Sequence, residues 1–221
     1  MTARPRTYAR TAGILYLVTH VTSVTAVVAY DAGALALGVA LETALALGCL
    51  GTGLLLWILL RDAAPARAAA FAGLRTLEAA VIAAGTLPVL VLLWTATSAP
   101  LTEVLTGLHT ASFLIGQGIV ISVNTLILGW LLFDSRAVPR ALAVLAIVGG
   151  AAVLAGNTAQ LFEVIPQGGA IAGLCAVPVF AFEIWFAIHL IVRGLRPRVA
   201  PPTPAARLAA SDVAAREVAA G

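Results

Sequence analysis

Six long apolar runs, separated by short polar or proline-containing segments, make up most of the chain. Each run holds about 20 residues or more, the length that an α-helix needs to cross the ~30 Å hydrocarbon core of a bilayer. Each predicted helix carries apolar residues on all of its sides, so none has a polar face to present to water. The predicted spans are residues 11–30, 38–60, 68–94, 107–133, 141–164 and 170–192. The pattern therefore predicts an all-α fold, a polytopic membrane bundle of about six transmembrane helices.

The composition supports this interpretation. Of the 221 residues, 61% are hydrophobic and only 10% are charged, whereas a soluble domain has roughly a quarter charged residues. Too little charge is present to coat a water-exposed surface, so most of the surface must face lipid. The net charge of +3 comes from arginines clustered between the apolar runs, which indicates membrane topology and not a nucleic-acid interface.

The arginines alternate between loops. They precede the first predicted helix, separate the second from the third and the fourth from the fifth, and follow the sixth; the other loops carry only Asp31 and Glu103 as charges. Cytoplasmic loops retain positive charge, so we expect a plasma-membrane protein with both termini in the cytoplasm. The expected organisation is a cytoplasmic N-terminus at 1–10, a transmembrane domain at 11–193 and a flexible cytoplasmic tail at 194–221. The arginines that flank the predicted helices are Arg4, Arg6, Arg10, Arg61, Arg67, Arg136, Arg140, Arg193, Arg196 and Arg198.

The first apolar run has a second interpretation, a cleaved signal peptide, because arginines precede it. Its length of about 20 residues exceeds that of a usual signal-peptide core, and it includes polar residues such as His20 and Ser23. We favour a retained helix, and removal of this segment would leave the predicted orientation unchanged.

The helix edges resemble those of a bacterial membrane family called "domain of unknown function 4386". The resemblance rests on the sequence at 10–17 (RTAGILYL), on the loop at 135–140 (SRAVPR) before Gly149-Gly150, on 182–185 (FEIW), and on the helix exit at Gly194. It covers residues 10–194, with a shorter first external loop near Asp31 than is typical. The resemblance implies a multi-helix membrane protein that keeps its first helix. It implies no activity.

Several polar residues lie inside the predicted spans. Ionisable groups in hydrocarbon cost about 2.5–3.5 kcal/mol or more, so each needs a partner or a wet cavity. At a rise of ~1.5 Å per residue, five of them fall near the middle of the bilayer: His20, Arg75, Glu78, Asn124 and Glu183. We predict a buried charge cluster of Arg75, Glu78 and Glu183, with His20 and Asn124 as neighbours. Such a cluster either holds the helices in register or forms a ligand or proton site.

Other polar residues lie closer to the helix ends or along one helix. The group nearest the arginine-poor end either lines an external vestibule or reaches water from the helix ends, and we favour the second interpretation. Those residues are Glu42, Asn157, Gln160 and Glu163. The stripe of His109, Gln117 and Asn124 favours a helix-packing seam over a channel lining, and one stripe can serve as both. Cys49 and Cys175 lie in apolar runs and are expected to be inert packing residues.

No catalytic or cofactor-binding template is present. The three histidines fall at different depths, so they are not expected to form a haem ligand pair. Neither a HExxH motif nor a Cys/His cluster indicates a metal site, and GxSxG and Walker motifs are absent. We therefore expect no catalytic residue, no metal and no cofactor, and we consider an intramembrane enzyme the weakest functional hypothesis.

Two functional classes remain. The first is a structural or regulatory membrane subunit, whose partners would be the lipid bilayer and another membrane protein or a second copy of this chain. The alternative is a small transporter or a binder of an apolar or lipid-like ligand at the polar cluster. A sealed, fully paired cluster favours the first class, and a cavity that reaches the cluster favours the second.

Overall fold

In the computed structural model of the chain, residues 3–196 are described, and that range contains helices and no strand. Six of the helices are long and apolar enough to span a membrane. They are α1 Ala3–Asp31, α2 Leu35–Leu60, α3 Pro65–Trp94, α4 Ala99–Ser135, α5 Arg140–Leu161 and α6 Ala170–Val192. The predicted all-α membrane bundle is confirmed. Of the predicted C-terminal tail at 194–221, the part from residue 197 onward lies outside the described residues.

Two helices begin eight residues earlier than the hydrophobic pattern predicts. Helix α1 begins at Ala3 and not at residue 11, and α4 begins at Ala99 and not at residue 107. Each has a proline, Pro5 or Pro100, in its first turn, where the missing backbone N–H costs nothing. Hydropathy locates the segment that lipid covers, whereas a helix continues into the polar region until its backbone conformation changes.

Helix α4 changes its winding near its middle. Its α-helical ends, Ala99–Phe113 and Ile121–Ser135, are joined by a π-helix at Leu114–Val120. A π-helix forms i→i+5 hydrogen bonds and often occurs at functional sites. The first α-helical part has no buried residue, whereas the second has seven. The π-helix therefore joins a peripheral half of α4 to a half that packs in the bundle.

The six helices form a closed ring. Each packs against its neighbours in the chain, and α6 packs against α1. Small residues permit close approach at some of these contacts: a Cβ atom added at Gly13 of α1 would lie 2.6 Å from the carbonyl oxygen of Ala187 in α6. At the arginine-rich end, buried side chains fill the ring, among them Phe71, Leu131 and Phe186. The site described next occupies the arginine-poor end.

Candidate functional site

A cavity of about 800 Å³ lies inside the ring. It runs from residues at the arginine-poor end, including Asp31 and Gln167, down to the polar residues near the middle of the helices. Its volume is within the ~300–1,000 Å³ of small-molecule sites. Much of its wall is apolar; lining residues of that kind include Val27, Leu45, Val89, Leu92, Phe113, Leu114, Val153 and Phe180.

An ion pair forms part of the cavity floor. Arg75 Nη1 donates to Glu78 Oε1 at 3.1 Å and to Oε2 at 2.9 Å, and both side chains are only 2% exposed. Residues three apart on a helix share a face, so α3 alone brings the two charges together.

Neighbouring helices complete the hydrogen bonds of this pair. Thr52 of α2 accepts from Arg75 Nε at 3.2 Å and from Nη2 at 3.0 Å. Asn124 Nδ2 donates to Glu78 Oε2, and the thiol of Cys49 donates to Oε1 at 3.6 Å. Cys49, predicted to be an inert packing residue, is buried in the core and also contributes its thiol to the polar network.

The Arg75 side chain also packs closely against two helices. Its guanidinium carbon lies 5.3 Å from the ring centre of Tyr16, within the range of a cation–π contact. On the neighbouring helix α2, a Cβ atom added at Gly53 would lie 2.7 Å from Arg75 Cβ. Glycine at position 53 thus provides the space that the arginine occupies.

His20 and Glu183 form a second pair, between α1 and α6. The His20 ring atom Nδ1 lies 2.9 Å from the carbonyl oxygen of Tyr16; because that oxygen only accepts, Nδ1 carries the hydrogen. Nε2 lies 3.3 Å from Glu183 Oε2, yet it forms no hydrogen bond within the described residues. Both side chains are about nine-tenths buried, and both line the cavity.

The structure thus divides the predicted cluster into two parts. Arg75, Glu78 and Asn124 belong to a paired network that includes Thr52 and Cys49. His20 and Glu183 lie against each other, and within residues 3–196 Glu183 forms its ion-pair contact with His20 and none with Arg75. The predicted cluster thus consists of a satisfied network beside an incompletely bonded pair.

The burial of Glu42 differs from the prediction. The sequence predicts that it reaches water near a helix end, but it is only 4% exposed. Tyr30 donates to its Oε2 at 2.9 Å, and His109 Nε2 lies 3.8 Å from its Oε1. The reason is the position of α4, whose His109 ring is anchored by Nδ1 at 2.9 Å from the carbonyl oxygen of Gly85. No sequence spacing indicates this contact between distant segments.

The other outer polar residues separate into two groups. Asn157 and Gln160 line the cavity, in agreement with the vestibule interpretation, whereas Glu163 is exposed. In α4, Gln117 accepts a hydrogen bond from Ser23 of α1 at 2.9 Å and also lines the cavity. The predicted packing seam on α4 is therefore also part of the cavity wall.

The side chains that could bind a metal ion are dispersed. Within residues 3–196, no three or more His, Cys, Asp or Glu side chains lie close enough together to hold a metal ion. The cavity offers hydrogen bonds and charge in an apolar enclosure, which is the chemistry of noncovalent binding.

A ring of apolar helices around a cavity with a polar floor defines a multi-pass helical membrane protein. The chain belongs to the family described as Domain of unknown function (DUF4386), whose model matches residues 11–194. This agrees with the resemblance of its helix edges. No curated protein and no solved structure matches the chain.

Proposed function

We propose that this protein binds a small amphipathic ligand in the cavity, as a carrier or a receptor in the cell membrane. The observation that carries the proposal is the unbonded Nε2 atom of His20, which is buried at the floor of a cavity of about 800 Å³. A buried polar atom without a partner costs about 1–3 kcal/mol. A ligand that hydrogen-bonds to this nitrogen would recover that free energy.

The two parts of the floor support different roles. The Arg75–Glu78 network is satisfied internally, as expected of interhelical contacts that hold a bundle together. The His20–Glu183 pair is incompletely bonded, and both of its residues line the cavity. A purely structural subunit has no use for an open cavity at such a pair, so the geometry favours the ligand-binding hypothesis over the structural one.

The cavity lining indicates the general shape of the ligand. The cavity has apolar walls, a polar floor and a polar opening (its mouth) at the arginine-poor end. This arrangement matches a molecule with an apolar body and a polar head. At the arginine-rich end, the buried core closes the ring. This favours entry of the ligand from the arginine-poor end. The ligand would therefore enter at the mouth and place its head at the floor.

We further propose that both termini lie in the cytoplasm, so that the cavity opens to the outside. The alternation of loop arginines supports this orientation. The exposed loop residues Gln167 and Asp62 lie at opposite ends of the bundle. In intact cells, a membrane-impermeant maleimide should label Gln167→Cys, and it should label Asp62→Cys only after permeabilisation. Labelling in the reverse order would contradict the proposed orientation.

Ligand binding in the cavity is tested by untargeted mass spectrometry of compounds that co-purify with the protein. Ala176 lines the cavity and is half-buried, so Ala176→Phe should fill part of it. The matched control is Ala181→Phe, the same change at an exposed position of α6. We expect one or more compounds that are retained by the wild type and the control and lost from Ala176→Phe. Equal retention by all three proteins would contradict binding in the cavity.

A further inference from the structure

The cavity lining has an excess of negative charge. Among the described lining residues, Asp31, Glu78 and Glu183 carry carboxylates, and Arg75 carries the one permanent positive charge. Arg75 is committed to Glu78 by two hydrogen bonds. Glu183 therefore lacks a cationic partner unless His20 is protonated. A cavity lined by one sign of charge in low-dielectric walls concentrates ions of the opposite sign.

The hydrogen-bonding state of His20 restricts the ligand further. Because Nδ1 carries the ring hydrogen, Nε2 of the neutral ring is an acceptor. It lies 3.3 Å from a carboxylate oxygen of Glu183, which is also an acceptor. A group with at least two N–H donors and a positive charge satisfies both atoms, whereas an anionic or purely accepting group satisfies neither. Phe180, which lines the cavity, has its ring centre 4.5 Å from that of His20 and adds an aromatic surface that favours a cation.

We propose that the His20–Glu183 pair binds the ammonium group of an amphipathic amine. This proposal rests on the proposed function, because it assigns the head group of the same ligand. The ammonium group donates one hydrogen to His20 Nε2 and another to the Glu183 carboxylate. The apolar body of the amine lies along the cavity wall.

The head group is tested with three soluble probes of similar shape and different charge: phenethylamine, phenethyl alcohol and hydrocinnamate. Each is titrated calorimetrically into the full-length protein in lipid nanodiscs at about pH 8, where an alkylamine keeps its proton. We expect phenethylamine to bind about tenfold more tightly than either comparator, or better, since hydrogen bonds to charged groups are the strong ones. Glu183→Gln should weaken amine binding by about tenfold or more. Glu42→Gln, the same change at another buried carboxylate, should leave the affinity for the amine within a few-fold of the wild type. Matching thermal unfolding of the variants and the wild type establishes that each is folded.

The two proposals fail in different ways. Equal binding of all three probes, preference for hydrocinnamate, or no binding of the amine overturns the ammonium site, even if Ala176→Phe still loses a co-purified compound. If Ala176→Phe retains the same compounds as the wild type and no probe binds, the proposed function fails as well.

Discussion

Arg75 and Glu78, one turn apart on α3, form an ion pair in which a single guanidinium nitrogen donates to both carboxylate oxygens at 3.1 and 2.9 Å. Both side chains are 2% exposed, so neither has water as an alternative partner. Removing one partner leaves the other charge buried and unpaired, which costs far more than the pair itself contributes. The stability of the bundle should therefore depend on the two residues together.

The first prediction concerns Arg75→Ala. This change strands the buried Glu78 carboxylate and should lower the free energy of unfolding by about 3–5 kcal/mol, measured by thermal or denaturant unfolding in detergent. Arg67→Ala is the matched control on the same helix, because Arg67 pairs with Asp134 at a partly exposed position. The Arg67→Ala control should lower the free energy of unfolding by about 1 kcal/mol or less. Equal costs for the two variants would contradict the burial of the Arg75 pair.

The second prediction concerns removal of both charges. Arg75→Met with Glu78→Gln leaves no unpaired charge, so the double variant should be more stable than the single variant Arg75→Met. The coupling free energy in the double-mutant cycle should be about 1–3 kcal/mol in favour of the pair. Additive effects of the two changes would show that the contact carries no energetic coupling.

The third prediction concerns Gly53. An added Cβ would lie 2.7 Å from Arg75 Cβ, closer than real Cβ atoms come to one another, so Gly53→Ala should displace the arginine and destabilise the protein by about 1–3 kcal/mol. Gly73→Ala on α3 is the control, because no atom lies within 4 Å of its added Cβ. Alanine is the better helix former by about 1 kcal/mol, so the control should be neutral or stabilising. Thermal unfolding in detergent measures both variants, and equal shifts would contradict the close contact at Gly53.

The fourth prediction concerns Glu42. Glu42→Ala leaves the Tyr30 hydroxyl without its acceptor and should cost about 1–3 kcal/mol in the free energy of unfolding, less than Arg75→Ala. Glu42→Gln keeps an oxygen for Tyr30 and should cost less than Glu42→Ala. If denaturant unfolding shows both substitutions to be as mild as a surface change, the hydrogen bond from Tyr30 contributes no net stability.

Some of the site follows from local sequence. The spacing of Arg75 and Glu78 implies a shared helix face, and the depth of His20, Asn124 and Glu183 follows from counting residues along a helix. The contacts between residues of different helices do not follow from the local sequence. Thr52, Cys49 and the Tyr30–Glu42 contact depend on how α1 to α4 are rotated about their axes, and helices that are apolar all round carry no stripe to indicate that rotation.

The π-helix shows the same limit within one element. The predicted seam of His109, Gln117 and Asn124 assumes α-helical geometry, but Leu114–Val120 has wider turns. That winding changes the direction of His109 relative to Asn124, and it accompanies contacts to α3 at Gly85 and Glu78. The hydropathy pattern does not reveal the π-helix, because apolar residues and glycines fit both α-helical and π-helical winding.

The sequence by itself determined six membrane-spanning helices, their order and the set of polar residues near mid-depth. It did so because hydrophobic length and the cost of charge in lipid act on each segment separately. Only the tertiary structure decided that the ring is filled at one end and open at the other, and that Arg75 has its partners while His20 lacks one. Those properties depend on distances between helices far apart in the chain, where a change of about one ångström separates a satisfied hydrogen bond from an unsatisfied one.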